Sequence, residues 1–202
     1  MKLYYAPGAC SLSPHIVLLE AGLPFTVEKT DLKSKKTEKG VDYLTVNPKG
    51  SVPALQLDDG QVLTEGPTIV QYIADQKPDS GLAPRAGTME RYRLMEILNF
   101  ISSEVHKSFS SVFNPSASAD WKKAAIENLG KRFDWLSAHL GSRKFLLGDQ
   151  FTVADAYLFT VLSWSRHAGI DLTKWPVLEA YQSRVGHRPK VQEALKAEGL
   201  VK

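Results

Sequence analysis

Met1-Lys2-Leu3-Tyr4-Tyr5-Ala6-Pro7-Gly8-Ala9-Cys10-Ser11 is the stretch from which the fold is read. Lys2 to Tyr5 is a short β-type run, and Ala6-Pro7-Gly8 ends it with a turn. A helix follows, with Ser11 or Ser13 as its N-cap and Pro14 tolerated in the first turn. Leu12, Ile16 and Leu19 supply its apolar face, and Gly22 stops it. The chain therefore opens strand, turn, helix, with its single cysteine at the junction.

The same grammar runs on to residue 80. Phe25 to Thr30 alternates as a strand does. After Lys33-Ser34-Lys35-Lys36 and the turn Asn47-Pro48-Lys49-Gly50 come two β runs, Val52 to Leu57 and Gln61 to Thr64. Asp58-Asp59-Gly60 joins them as a hairpin. Pro53 cannot donate to a ladder, so it belongs where a strand begins. A helix from Gly66 to Gln76 closes the unit, giving a small α/β sheet with helices packed on it.

Beyond the linker-like Lys77 to Pro84 the period becomes helical. Leu94, Leu98, Ile101 and Val105 mark an apolar stripe on a helix from Thr88 to about Phe113. Further helices fit Asp120 to Leu140, Val153 to Ala168, Val177 to Val185 and Lys190 to Glu198. The expected organisation is an α/β domain over 1–80, a linker over 81–86 and an all-α domain over 87–202.

Composition excludes several classes. Apolar residues are 43% and charged residues 23% of the 202, as in an ordinary globular protein. No apolar run approaches the roughly 20 residues of a membrane span, and the N-terminus lacks a secretory core, so a cytoplasmic location is expected. A formal charge of +3 is too mild to point to nucleic acid. One cysteine excludes an internal disulfide, and no metal spacing is present, so no metal is assigned.

Chemistry concentrates at junctions. Cys10, after a turn and at a helix start, is placed where free N–H groups and the helix dipole favour a thiolate. Cys10-Ser11-Leu12-Ser13 has the spacing of a redox pair with serine second, so the partner thiol comes from solution. The competing reading makes Cys10 a small buried hydrophobe. Tyr5 and Ser11 flank it with hydroxyls that either stabilise a sulfur anion or merely pack. At Thr64-Glu65-Gly66-Pro67 a helix N-terminus can receive a carboxylate while Glu65 faces an amine; simple capping fits equally. One lysine of 33–36 either meets an acidic small molecule or is solvated. Asn99, Ser103, His106 and Ser110 share one helix side, with Lys107 at its edge, and line a cleft or face solvent. Thr152-Val153-Ala154-Asp155 reads as a structural capping box.

Taken together, these segments resemble the bacterial beta-class glutathione transferases. The likeness is carried by Met1–Ser11, Val46-Asn47-Pro48-Lys49-Gly50-Ser51-Val52-Pro53-Ala54-Leu55 and Leu63–Gly66. In the second half it is carried by Leu98–Ile101, Glu104–Lys107 and Phe151–Phe159. The resemblance implies a thioredoxin-like N-terminal domain, an all-helical C-terminal domain, a homodimer and glutathione as co-substrate. It places Cys10 beside the glutathione sulfur, with Val52, before a cis Pro53, bonding the cysteinyl backbone. Glu65 and Gly66 take the γ-glutamyl end and Lys35 reaches the tripeptide. Asn99, Ser103, Glu104 and His106 line the site, some serving the partner subunit. Gly66 stands where relatives often carry a hydroxyl or alanine, so only its N–H acts.

The activity implied is attack of glutathione thiolate on a small electrophile, with Cys10, Tyr5, Ser11, His106 and Lys107 as catalytic candidates. Likeness to members associated with aromatic degradation suggests aromatic or chlorinated substrates and dehalogenation. Pro7, Phe109, Phe113 and Trp164 are candidates for the second-substrate pocket. The alternatives are a glutathione-dependent thiol-disulfide reductase acting through Cys10, and a non-catalytic binder of apolar ligands or partner proteins.

Overall fold

A computed structural model describes residues 1–202. Its contacts divide the chain into two compact units, Met1–Ala83 with His187–Lys202, and Pro84–Gly186.

The first unit is built on β1 (Lys2–Tyr5), α1 (Leu12–Ala21) and β2 (Thr26–Asp31). The two strands are parallel, with Leu3 opposite Val27, so α1 is the crossover between them. Leu3, Tyr4 and Tyr5 are all buried, because β1 is the central strand and both its faces are covered. β3 (Lys36–Thr37) pairs antiparallel with β2; this short strand, inside the lysine loop, has no signal in the sequence. β4 (Ala54–Gln56) pairs antiparallel with both β1 and β5 (Val62–Thr64), giving the order β3-β2-β1-β4-β5. The hairpin forms where Asp58-Asp59-Gly60 places it: Gly60 sits at φ +88 and Asp59 accepts from the Gln61 N–H at 3.0 Å. Pro53 precedes β4 by one residue, and the Val52-Pro53 peptide is cis.

α2 (Gly66–Gln76) covers the sheet with Ile69, Val70, Ile73 and Ala74. Gly22 ends α1 in the left-handed conformation, its N–H turned to Leu18 and Leu19 carbonyls. Ser11 stands at the N-cap position, but in helical backbone and without a side-chain cap bond; Ser13 lies inside the helix. The expected serine cap is therefore absent, because the Ser11 hydroxyl is engaged with Ala6.

In the second unit α3 (Met89–Phe100) and α4 (Lys107–Phe113) are joined without a break by a π-helical turn, Ile101–His106. α5 (Ala119–Leu140), α6 (Val153–Ser163) and α7 (Pro176–Gly186) complete it. Thr88 and Ser118 cap α3 and α5 through their hydroxyls. All but the last residue of α6 are buried, as befits a helix apolar all round. It stops at Ser163 rather than Ala168, since the Trp164 and Ser165 N–H groups turn back three residues and tighten the end. Asp155 closes the expected capping box, accepting from the Thr152 N–H at 2.8 Å and Thr152 Oγ1 at 2.9 Å.

α8 (Pro189–Ala197) belongs by contact to the first unit, although its sequence reads with the helices before it. It buries Val191 and Ala194, and Arg188 forks onto Glu20 of α1 at 2.8 and 2.9 Å.

Candidate functional site

In the first unit the residues of interest gather where β1 ends, β4 begins and α2 begins. Three consecutive carbonyls there each accept a side-chain donor. Lys35 Nζ reaches Gly50 O at 2.7 Å. Tyr43 Oη and Asn47 Nδ2 both donate to Ser51 O, at 2.8 and 2.7 Å. Cys10 Sγ donates to Val52 O at 3.1 Å. The segment before Pro53 is thus held by donors from the Lys35 loop, the turn at Tyr43 and the start of α1.

Cys10 does not have the lowered pKa that its place before a helix suggests. Burial pushes its thiol up to about 11 from 9.0, and Glu65 adds to the rise; the Cys10 and Ser11 N–H groups pull the other way but lose. The dipole argument fails because Sγ is withdrawn from water against Val52, and its bond there needs the proton on sulfur. Tyr43 lies close enough for Cys10 to influence it, and burial raises its phenol to about 12.

The flanking hydroxyls are committed elsewhere. Ser11, fully buried, accepts from the Ala6 N–H at 3.1 Å and donates to Ala6 O at 3.2 Å, bracing the turn that carries Cys10. Tyr5 packs its ring on His15 of α1, at 6.0 Å. Burial and the Glu198 carboxylate push its phenol above the ordinary value. Alternation explains this, since neighbouring residues of β1 face opposite sides, and it is Tyr4 that packs with Tyr43, Val52 and Ala54. Glu198 also accepts from the Gly8 N–H at 2.9 Å and meets His15 Nδ1 at 2.8 Å, so the chain's end secures the Pro7-Gly8 turn.

Glu65 stands just before α2 at φ +70, a left-handed conformation that costs a residue with a Cβ roughly 1 kcal/mol or more. Its carboxylate is exposed and ion-paired with Lys49 at 2.6 Å, and Lys49 also donates to Thr64 Oγ1 at 3.0 Å. Pro67 has no N–H and the Thr68 N–H turns to Glu65 O, so Gly66 provides the N–H at this helix end. A Cβ on Gly66 would meet only Pro53 Cγ, at 4.0 Å.

In the second unit the polar stripe is split. Asn99, Ser103, Lys107 and Ser110 are exposed, with Ser103 Oγ bonded back to Asn99 O. Glu104 pairs with Arg132 of α5 at 2.6 Å. His106 instead turns inward, its Nδ1 2.7 Å from Tyr157 Oη and its ring edge-on to Trp164 at 4.8 Å. The reason is the π turn: Lys107 N–H bonds to Ser102 O, five residues back, which inserts one extra residue and rotates His106 off the stripe. Phe109 and Phe113 stack at 5.8 Å and both lean on Trp164, so these side chains form one aromatic wall. No group of three His, Cys, Asp or Glu side chains is arranged to hold a metal ion, and no helix is long and apolar enough to cross a membrane.

Lys49, Tyr43 and Glu198 were not legible as site residues. Lys49 and Tyr43 sit in or beside the Asn47-Pro48-Lys49-Gly50 turn, but their partners Glu65 and Ser51 are chosen by the fold.

Comparison with known proteins follows the same outline. The profile described as Glutathione S-transferase, N-terminal domain matches residues 8–76, and that described as Glutathione S-transferase, C-terminal domain matches residues 119–182. Glutathione S-transferase GstA of Escherichia coli O157:H7 is 46% identical over 200 residues, covering 99% of this chain and all of the relative. The solved beta-class glutathione S-transferase of Sphingomonas chungbukensis is 52% identical, with a TM-score of 0.97 and full coverage of both chains. A sphingomonad glutathione S-transferase complexed with glutathione is 50% identical, with a TM-score of 0.96 and full coverage of both.

Proposed function

The chain belongs to the glutathione S-transferase family, and from that premise we propose that its first unit holds glutathione on Cys10, Lys35, Val52, Glu65 and Gly66. It is a glutathione S-transferase of the bacterial beta-class kind, with glutathione as co-substrate. The observation that carries the residue assignment is the Cys10–Val52 contact of 3.1 Å, which sets the one thiol of the chain beside the segment leading into β4. An extended tripeptide pairs with Val52 as an added strand would, which brings its own cysteinyl sulfur to Cys10. Glu65 and the Gly66 N–H face the γ-glutamyl end, and Lys35 the opposite end.

In this reading Cys10 acts as a neutral donor. With a pKa of about 11 it keeps its proton near pH 7, so the S–H swings from Val52 O to the glutathione sulfur and stabilises it as thiolate. The thiolate then attacks an electrophilic carbon and displaces its leaving group; binding contributes by fixing approach and orientation. His106 and Lys107 are proposed to stabilise charge at the leaving group.

The electrophile proposed is aromatic or chlorinated. The exposed Phe113 and the half-buried His106 and Trp164, backed by the buried Phe109, offer flat faces suited to a planar ring. Displacement of chloride gives a glutathione thioether. Net reduction requires a second thiol, which attacks the thioether sulfur to form a disulfide while carbon takes up a proton. Asn99, Ser103 and Glu104 are proposed to complete the site of a partner subunit in a homodimer.

The test is a substrate panel of chloro-aromatics, chlorinated ring-cleavage products and mixed disulfides, run on wild type, Cys10→Ser and Cys10→Ala. Conjugation should survive in Cys10→Ser, which keeps a donor, and drop about tenfold in Cys10→Ala, one charge-assisted hydrogen bond. Robust disulfide reduction with a glutathione adduct on Cys10, and no conjugation, would instead establish the reductase reading.

A further inference from the structure

Glutathione's γ-glutamyl end is a zwitterion, an ammonium and a carboxylate on one carbon. Glu65 accounts for the ammonium. The carboxylate has less to meet here than the start of a helix usually offers: residue 66 has no side chain, residue 67 has no N–H, and the next two N–H groups both turn to Glu65 O. The Gly66 N–H is left to do this alone, beside space that a Cβ would not fill.

One cation is held next to it in the chain, on Glu65. Lys49 Nζ lies 2.6 Å from Glu65 Oε1 and 3.0 Å from Thr64 Oγ1, on the strand end that leads into α2. Both side chains of the pair are more than half exposed, at 55% and 65%, so each can shift without opening the core. The Glu65 backbone is fixed at φ +70, so the carboxylate keeps its base while Lys49 moves on a flexible stem.

We propose that Lys49 is the carboxylate-recognising residue of this site, and that the Lys49–Glu65 ion pair is a receptor for the α-amino-acid head of glutathione. The proposal rests on the assignment of Glu65 and Gly66 to the γ-glutamyl end. On binding, the internal pair opens into a four-charge arrangement: ligand ammonium on Glu65, ligand carboxylate on Lys49 and the Gly66 N–H. Each protein charge exchanges one partner for another, so little net charge is desolvated. In the free chain the pair also keeps Glu65 from being an unpaired anion near Cys10, whose thiol it raises.

The experiment uses the full chain and two ligands, glutathione and a glutathione analogue amidated at the γ-glutamyl α-carboxylate. Dissociation constants are measured by calorimetry for wild type, Lys49→Met and Glu65→Gln. Wild type should bind glutathione about tenfold more tightly than the analogue, and Lys49→Met should lose most of that preference, the Gly66 N–H alone keeping the small remainder. The loss should fall on the KM for glutathione rather than on the KM for the electrophile, with circular-dichroism melting unchanged. If Lys49→Met still discriminates tenfold, or binds glutathione more tightly than wild type, Lys49 is at most a competitor for Glu65 and the proposal is overturned. If Glu65→Gln binds glutathione as wild type does, the underlying placement of the γ-glutamyl end is itself wrong, and that outcome is distinct from the first.

Discussion

Ionising Cys10 by raising the pH is the perturbation that most directly tests the site. The chain has one cysteine, so every thiol signal belongs to it. Its pKa stands at about 11 against 9.0 for an unperturbed thiol, first because burial disfavours the anion. At pH 7 the thiolate is then about one molecule in ten thousand rather than one in a hundred, and alkylation by iodoacetamide should run roughly a hundredfold slower than for a free thiol. Two units correspond to about 2.7 kcal/mol favouring the protonated form in the folded state. Because the folded pKa is the higher one, that stabilisation is fully present below about pH 9 and is lost as pH rises through 11. The assay is far-ultraviolet thiolate absorbance and alkylation rate against pH, with denaturant melts of wild type and Cys10→Ala across the same range. The half-point should fall near 11, and Cys10→Ala should show less alkaline destabilisation. A half-point at or below the free-thiol value would mean that the helix start dominates after all. Cys10 would then be an anion poised for disulfide exchange, and its role as a neutral donor would fail.

Two further perturbations probe the scaffold. Asp155→Ala removes the acceptor of the Leu146 N–H, the Thr152 N–H and hydroxyl, and Tyr181 Oη, all in the interior; we expect a loss of about 3–5 kcal/mol, read as a lower denaturant midpoint. Arg188→Ala breaks the fork onto Glu20 and should cost about 1–2 kcal/mol, with hydrogen exchange accelerating over Pro189–Ala197 and, through Glu198, at Gly8.

The sequence by itself determined the order of the elements apart from β3 and the π turn, and most of their ends. β1, the hairpin, α2 and the capping box follow from local rules that tertiary contact does not have to supply: proline's missing N–H, glycine's positive φ, the period of apolar residues. It also drew the candidate site to junctions that the fold brings close to one another, because Cys10, Val52-Pro53 and Glu65-Gly66 all lie where the chain leaves one element and enters another.

The tertiary structure decided what those residues can do. Whether a thiol before a helix is acidic depends on how much water reaches it, and that is set by Val52, 42 positions away. Which hydroxyl is available depends on the pleat, which turned Tyr5 to His15, and on a turn that claimed Ser11 for Ala6. A single inserted residue in the π turn took His106 off a stripe that spacing alone would draw straight. The lysine that meets Glu65 proved to be Lys49, whose local sequence reads only as a turn. Local conformation is encoded by neighbours in the chain, whereas charge state and hydrogen-bond partners are long-range properties that exist only once the β1–β4–β5 edge has brought distant segments together.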